Sequence, residues 1–125
     1  MARILIVDDE APFRRTLRIV LSARGHQILE AGDGRDALEK FGAESPDLIL
    51  LDWQMPLMDG LELCRAIRVT SNVPIIVVTC IQTNVGRLVA MAAGANDYVA
   101  KPFRMDDLVA RIETLTALRC SSPDN

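Results

Sequence analysis

Asp8 and Asp9 follow the apolar run RILIV (residues 3–7), Asp52 follows DLILL (47–51), Thr79 follows PIIVV (74–78) and Lys101 follows DYVA (97–100). Acids, a hydroxyl and an ammonium thus close four separate apolar segments. Any single Asp after a strand is ordinarily a helix N-cap or a turn residue, and a single lysine is ordinarily a solvated charge. Brought together, the five have a definite chemistry. Two carboxylates about 4 Å apart repel by about 4 kcal/mol at an effective dielectric of about 20, so such acids must protonate, separate or hold a cation. Oxygen donors with no histidine or cysteine among them favour a hard ion, and two or three carboxylates with room for water and a phosphate suit Mg2+. Thr79 and Lys101 then supply a hydrogen-bond donor and a second positive charge for phosphoryl oxygens, leaving one carboxylate as nucleophile.

These residues meet only if the chain brings four segment ends to one edge. The four runs, with QILEA (27–31), are predicted strands, and five segments of helical period lie between and after them. The first helix places Phe13, Leu17, Val20 and Leu21 on one face, and the last places Leu108, Ile112 and Leu115 at spacings of four and three. Pro12 sits at the start of the first helix, where a missing N–H is harmless, and Gly25 follows its end as a C-cap. The first, third and fourth strands are nearly unbroken apolar runs, which predicts central positions in a parallel sheet covered by helices on both faces. The fold class is therefore α/β, a (βα)5 doubly wound domain, in which ligands bind beyond the carboxyl ends of the strands.

Composition narrows the function. With 125 residues and 50% hydrophobic content the chain builds one core and one domain. A formal net charge of -3, with both signs scattered along the chain, offers no basic stripe, so direct nucleic-acid contact by this segment is not expected. No apolar stretch approaches the roughly 20 residues of a membrane span, and MARILIVDDE reaches acids too early for a signal peptide. The expectation is a cytoplasmic protein without a membrane partner. Cys64, Cys80 and Cys120 are odd in number and lack metal-ligand spacing, which reads as reduced, space-filling thiols.

From ILIVDDE (4–10) through PDLILLDWQMPLMDGLEL (46–63) and PIIVVT (74–79) to GANDYVAKPF (94–103), the chain resembles a receiver domain of a two-component response regulator. The resemblance runs from residue 3 to about 118, which divides the chain into a receiver domain at 1–118 and a tail or linker start, RCSSPDN, at 119–125. It implies a flavodoxin-like five-stranded parallel sheet of order 2-1-3-4-5, setting Asp8 and Asp9 beside Asp52. It implies that Asp52 accepts a phosphoryl group from a histidine kinase or a phosphotransfer protein, and that Mg2+ is held by Asp9 and Asp52, by Asp8 through water, and by the backbone carbonyl of Gln54. Lys101 would pair with the acids and the phosphate, Thr79 would turn to a phosphoryl oxygen, and Tyr98 would be the switch aromatic that turns inward with it. Lys101-Pro102 would be a cis bond, and Trp53 a surface reporter beside the acceptor. Gly60 and Pro56 would shape the loop after the third strand. A population shift in the fourth helix and its loop would then control an output, such as transcription through a linked domain.

Some positions depart from that pattern. Cys80 stands where a very small residue is usual, and Gly86 lowers helix propensity by about 1 kcal/mol, so the fourth helix is expected to be loosely held. Arg87, Asp97, Asp107 and Arg111 resemble part of the charged face through which receivers of winged-helix regulators form phosphorylation-dependent homodimers, while Asn96, Ala92 and Glu113 do not complete it. Two other function classes stay open: a receiver-shaped interaction module that works without phosphate, and a haloacid-dehalogenase-like phosphatase. The second would need an acid two residues after the nucleophile, where Gln54 stands.

Overall fold

The computed structural model describes residues 2–53, 60–80 and 84–120, with side chains up to residue 117. Strand and helix alternate as β1 (Arg3–Val7), α1 (Ala11–Ala23), β2 (Gln27–Ala31), α2 (Gly34–Glu44), β3 (Leu48–Leu51), α3 (Gly60–Arg68), β4 (Ile75–Thr79), α4 (Asn84–Ala92), β5 (Asp97–Ala100) and α5 (Met105–Cys120). The strands form one parallel sheet of order β2-β1-β3-β4-β5. This is the flavodoxin-like doubly wound arrangement expected from the sequence.

Two strands start one residue later than their apolar runs, for chemical reasons. Pro74 has no N–H to give a ladder, so β4 begins at Ile75 and takes in Thr79, while the Pro74 carbonyl still accepts from the Ile49 amide at 2.9 Å. Asp47, expected to open β3, instead accepts the Arg3 amide on its side chain at 2.8 Å.

Alternation along the strands sorts the core into two layers. Ile4, Ile6, Leu48, Leu50, Ile76 and Val78 pack with Leu17 and Leu21 of α1 and Leu108 and Ile112 of α5. The intervening residues Leu5, Val7, Ile49, Leu51, Ile75 and Val77 pack with Ala37 of α2, Leu63, Cys64 and Ile67 of α3 and Ala90 of α4. Each large side chain so buried contributes about 1.5–3 kcal/mol, more than an exposed ion pair. A slip of one residue would exchange the layers, so the core fixes the register. That register pairs Val7 with Leu51, Leu51 with Val77, and Thr79 with Ala100, which leaves the ends of β1 and β3 level and carries β4 and β5 two residues further.

The helix boundaries follow from local chemistry. Pro12 lies in the first turn of α1, and Gly25, at φ +91°, follows the C-cap Arg24. Asp33 caps α2 by accepting the Asp36 amide on its side chain. Gly86 is buried within α4.

Candidate functional site at the carboxyl end of the sheet

The level register delivers the acids side by side. The Asp8 amide donates to the Ala31 carbonyl at 3.1 Å and the Asp52 amide to the Val7 carbonyl at 2.9 Å, so each is fixed by a continuation of the strand ladder. Asp8 is buried, Asp52 half-buried and Asp9 exposed, and one carboxylate oxygen from each lies within 4.8 Å of the other two. Thr79 is buried at the end of β4, and its carbonyl accepts from the Lys101 amide at 2.7 Å. The five residues singled out from the sequence therefore lie at one edge of the sheet. Lys101-Pro102 is cis, as expected.

The electrostatics of this edge are unbalanced. Lys101 Nζ lies 3.2 Å from Asp8 Oδ2 and 3.8 Å from Glu10, and 4.2 Å from the centre of the Phe13 ring. Burial opposes the Lys101 charge, but Asp8, Asp52 and Glu10 outweigh it and hold its pKa above that of ordinary lysine. Burial pushes the Asp8 carboxyl above the usual carboxylate range, against the Glu10 amide that donates to Oδ1 at 2.9 Å and against Lys101. Among the described residues, the three clustered carboxylates and Glu10 share one neighbouring ammonium, that of Lys101. An all-oxygen donor set with this deficit of positive charge fits a hard divalent cation.

The aromatic residues beside Asp52 refine the sequence reading. Tyr98 is buried, 7% exposed, and meets Trp53 edge to face, with ring centres 6.1 Å apart at 87°. Burial raises the pKa of its phenol. Trp53 is not the surface residue expected: it is half-buried and packs on the layer formed with α2, α3 and α4. Gly60 does more than shape a loop. It opens α3, its amide donates to the Trp53 carbonyl at 2.8 Å, and a Cβ there would lie 2.6 Å from the Asp52 carbonyl oxygen and 2.7 Å from Leu51 Cδ1 and Trp53 Cα. Gln54 and Pro56 fall outside the described residues.

Cys64 is buried and donates its thiol to the Ala93 carbonyl at 3.3 Å, and burial raises its pKa, as suits a space-filling thiol. Cys80 is exposed. On the charged face, Arg111 donates to both oxygens of Asp97 at 2.8 and 2.9 Å and lies 3.3 Å from Asp107, so these three pair within the chain, while Arg87 is exposed on α4.

Sequence reasoning missed the contribution of α1. Arg14 donates to the Asp8 carbonyl and to Glu30, and Phe13 underlies Lys101. The signal was present in the helical spacing, since residues 13 and 14 fall in the first turn of a helix that begins directly after the acid pair.

Comparison with known proteins agrees with this geometry. The family described as "Response regulator receiver domain" matches residues 4–113. The response regulator MprA of Mycobacterium leprae is 44% identical over 124 residues, covering 98% of this chain and 54% of its own. The probable transcriptional regulator ycf27 of Porphyridium aerugineum is 42% identical over 113 residues, covering 90% of this chain and 47% of its own. The chain thus spans about half the length of these curated relatives. Among solved structures, a two-component response regulator from Clostridium difficile superposes with a TM-score of 0.92 at 30% identity, covering 98% of this chain and 100% of that one. The BeF3-activated N-terminal receiver domain of Klebsiella pneumoniae RstA gives 0.88 at 28% identity, covering 91% and 97%. With a matching family over most of its length, matching sheet order and acids gathered where that fold binds ligands, the chain belongs to the response regulator receiver domain family of two-component signalling.

Proposed function

We propose that Asp52 is the phosphoacceptor, and that residues 1–118 act as a phosphorylation switch with 119–125 as a tail or linker start. The observation that carries this reading is the set of three carboxylates with oxygens within 4.8 Å, beside Lys101 and on the sheet edge that also bears Thr79. Asp9 and Asp52, with Asp8 through water and the Gln54 carbonyl, would hold Mg2+. A bound Mg2+ supplies charge neutralisation for the transferring phosphoryl group. Asp52 attacks phosphorus in line, an O–P bond forms as the P–N bond of a kinase or phosphotransfer phosphohistidine breaks, and the imidazole leaves with the bonding pair. Lys101 pairs with a phosphoryl oxygen, and the Thr79 hydroxyl donates to another. Tyr98, buried against Trp53, is the aromatic that moves with Thr79 in the switch.

As a receiver domain the chain is a signalling domain, and we assign it no activity beyond its own phosphorylation and dephosphorylation. Its partner is a histidine kinase or phosphotransfer protein. Arg87, Asp97, Asp107 and Arg111 form a face for a phosphorylation-dependent homodimer through α4, β5 and α5, with transcription as an output through a linked domain. The acid-rich edge and net charge of -3 support an absence of direct nucleic-acid contact by this segment. No helix among the described residues is long and apolar enough to cross a membrane. The buried free thiol of Cys64 and the exposed one of Cys80 support a reducing, cytoplasmic location.

The test is intact mass after incubation with acetyl phosphate and Mg2+. A gain of about 80 Da, one phosphoryl group, is expected in the wild type, and none in Asp52→Asn or without metal. Gain in Asp52→Asn would move the acceptor elsewhere. No gain in a folded wild type that also ignores beryllofluoride would favour the phosphate-independent interaction module.

A further inference from the structure

Asp8 is held at every polar atom but for different reasons. Its amide continues the ladder to β2, Oδ1 accepts the Glu10 amide and Oδ2 faces Lys101. Its backbone carbonyl is held by none of these. That oxygen accepts from Arg14 Nη1 at 2.5 Å. The Arg14 side chain is 19% exposed, and its Nε is anchored 3.1 Å from Glu30 Oε1 on β2, whose other oxygen accepts from Arg18 Nη1 at 2.8 Å.

A carbonyl oxygen fixes the plane of its own peptide, and the peptide that carries the Asp8 carbonyl joins Asp8 to Asp9. Asp9 is the exposed member of the acid cluster, beyond the end of β1, where the ladder no longer sets the backbone. The bond from Arg14 therefore fixes the peptide from which the Asp9 carboxylate projects. Arg14 is too committed to serve as a mobile counter-ion, because Glu30 takes its Nε. Its rigid, planar fork is what a carbonyl and a carboxylate on two adjacent strands require, which a lysine would not reproduce.

We propose that Arg14, anchored by Glu30, is a positioning residue that holds the Asp8–Asp9 peptide in the geometry that binds the divalent cation. The proposal rests on the receiver reading of the acid cluster. It makes a prediction opposite in sign to simple electrostatics. Deleting a nearby positive charge should tighten cation binding by a cluster of acids, whereas losing a group that orients ligands weakens it, by about tenfold for partners of this kind.

The experiment is a calorimetric Mg2+ titration of the wild type, Arg14→Leu, Arg18→Leu and Glu30→Gln, with the apo proteins compared by amide hydrogen exchange at Asp9. Arg18→Leu removes the same charge from the same glutamate without touching Asp8. We expect Arg14→Leu to weaken Mg2+ binding about tenfold and to speed Asp9 exchange. Glu30→Gln should act in the same direction but less, Arg18→Leu should stay within about twofold of the wild type, and the Arg14 and Glu30 changes should not add when combined. Unchanged or tighter binding in Arg14→Leu overturns the proposal while leaving the receiver reading intact, as does an Arg18→Leu loss equal to that of Arg14→Leu. If Arg14→Leu does not fold, unchanged binding and exchange in Glu30→Gln overturn it. A wild type that binds no Mg2+ overturns both readings together.

Discussion

The two ends of the sheet handle charge in opposite ways. At the amino end, charged and polar groups find partners. Arg24 and His26 converge on Glu113 of α5 at 2.7 and 3.1 Å, His26 Nδ1 accepts the Ala2 amide at 3.1 Å, and Arg3 and Asp47 bind each other's segments. At the carboxyl end, three acids gather around one lysine, and burial holds one of them above its ordinary pKa. A fold selected only for stability would not keep the second arrangement. The contrast separates charges that brace the structure from charges suited to a ligand, since clustered acids cost stability that a bound cation would recover.

Backbone approach sharpens the contrast most. Gly60 stands against Asp52, where a Cβ would press on the Asp52 carbonyl at 2.6 Å and the Trp53 Cα at 2.7 Å, and backbone atoms cannot swing aside. Gly42, in α2 near the opposite end, has nothing within 4 Å of its Cβ position. Gly60→Ala should therefore destabilise by about 1–3 kcal/mol through overpacking and slow phosphoryl uptake by displacing Asp52. Gly42→Ala should stabilise by up to about 1 kcal/mol through helix propensity alone. Denaturant melts of both variants, with phosphorylation rates beside them, check the pair. Equal effects would mean that the carboxyl end is no more constrained than the rest.

Acid crowding comes next. Asp9 is exposed and sits with Asp8 and Asp52, so Asp9→Asn removes a like charge without opening a cavity. The metal-free variant should gain about 1 kcal/mol and bind Mg2+ at least tenfold more weakly, so the ranking of the two proteins inverts once Mg2+ is added. Thermal melts with EDTA and with saturating Mg2+ measure this. A loss of stability without metal would show that Asp9 braces the loop and is not a repelled neighbour.

Much of this was legible in the sequence because it rests on strong, local signals. Apolar runs over 3–7, 27–31 and 97–100 match β1, β2 and β5 residue for residue, and Asp8, Asp52, Thr79 and Lys101, each at a strand's carboxyl end, could be placed on one edge because a doubly wound sheet is parallel. Order 2-1-3-4-5 came from the family resemblance, because alternation reveals a strand's burial but not its neighbour. Trp53 was misplaced since a residue beside a functional aspartate reads as exposed, whereas here Tyr98, distant in sequence, supplies the ring it packs on. Arg14 and Glu113 were missed for different reasons. Helical spacing sets Arg14 near the acid pair, but the backbone carbonyl that it binds is reported by no side-chain pattern. Glu113 was weighed only against a dimer face, yet its partners Arg24 and His26 are 89 and 87 residues away.

Glu113 also provides the most delicate test of the comparison. Hydrogen bonds from Arg24 and His26 lower its pKa from the ordinary 4.5 to about 2. A depressed carboxyl pKa stabilises the fold above the ordinary value, and that contribution fades as pH falls from about 4.5 through about 2. Because the side chain is one-third exposed, solvent screens the effect to about 1 kcal/mol or less. Glu113→Gln should thus be slightly less stable than the wild type at pH 7, and the gap should close as pH falls from about 4.5 to about 2. High salt should shrink the gap at neutral pH, since both ends of the Arg24–Glu113 pair meet water. Mg2+ affinity and phosphoryl uptake should not change, because the pair lies at the end of the sheet remote from Asp52. Paired melts over that pH range, with and without salt, separate the alternatives. A constant gap across the range would assign the role of Glu113 to packing, and a loss of Mg2+ binding in Glu113→Gln would mean that the two ends are coupled and that bracing and ligand-holding charges cannot be divided between them.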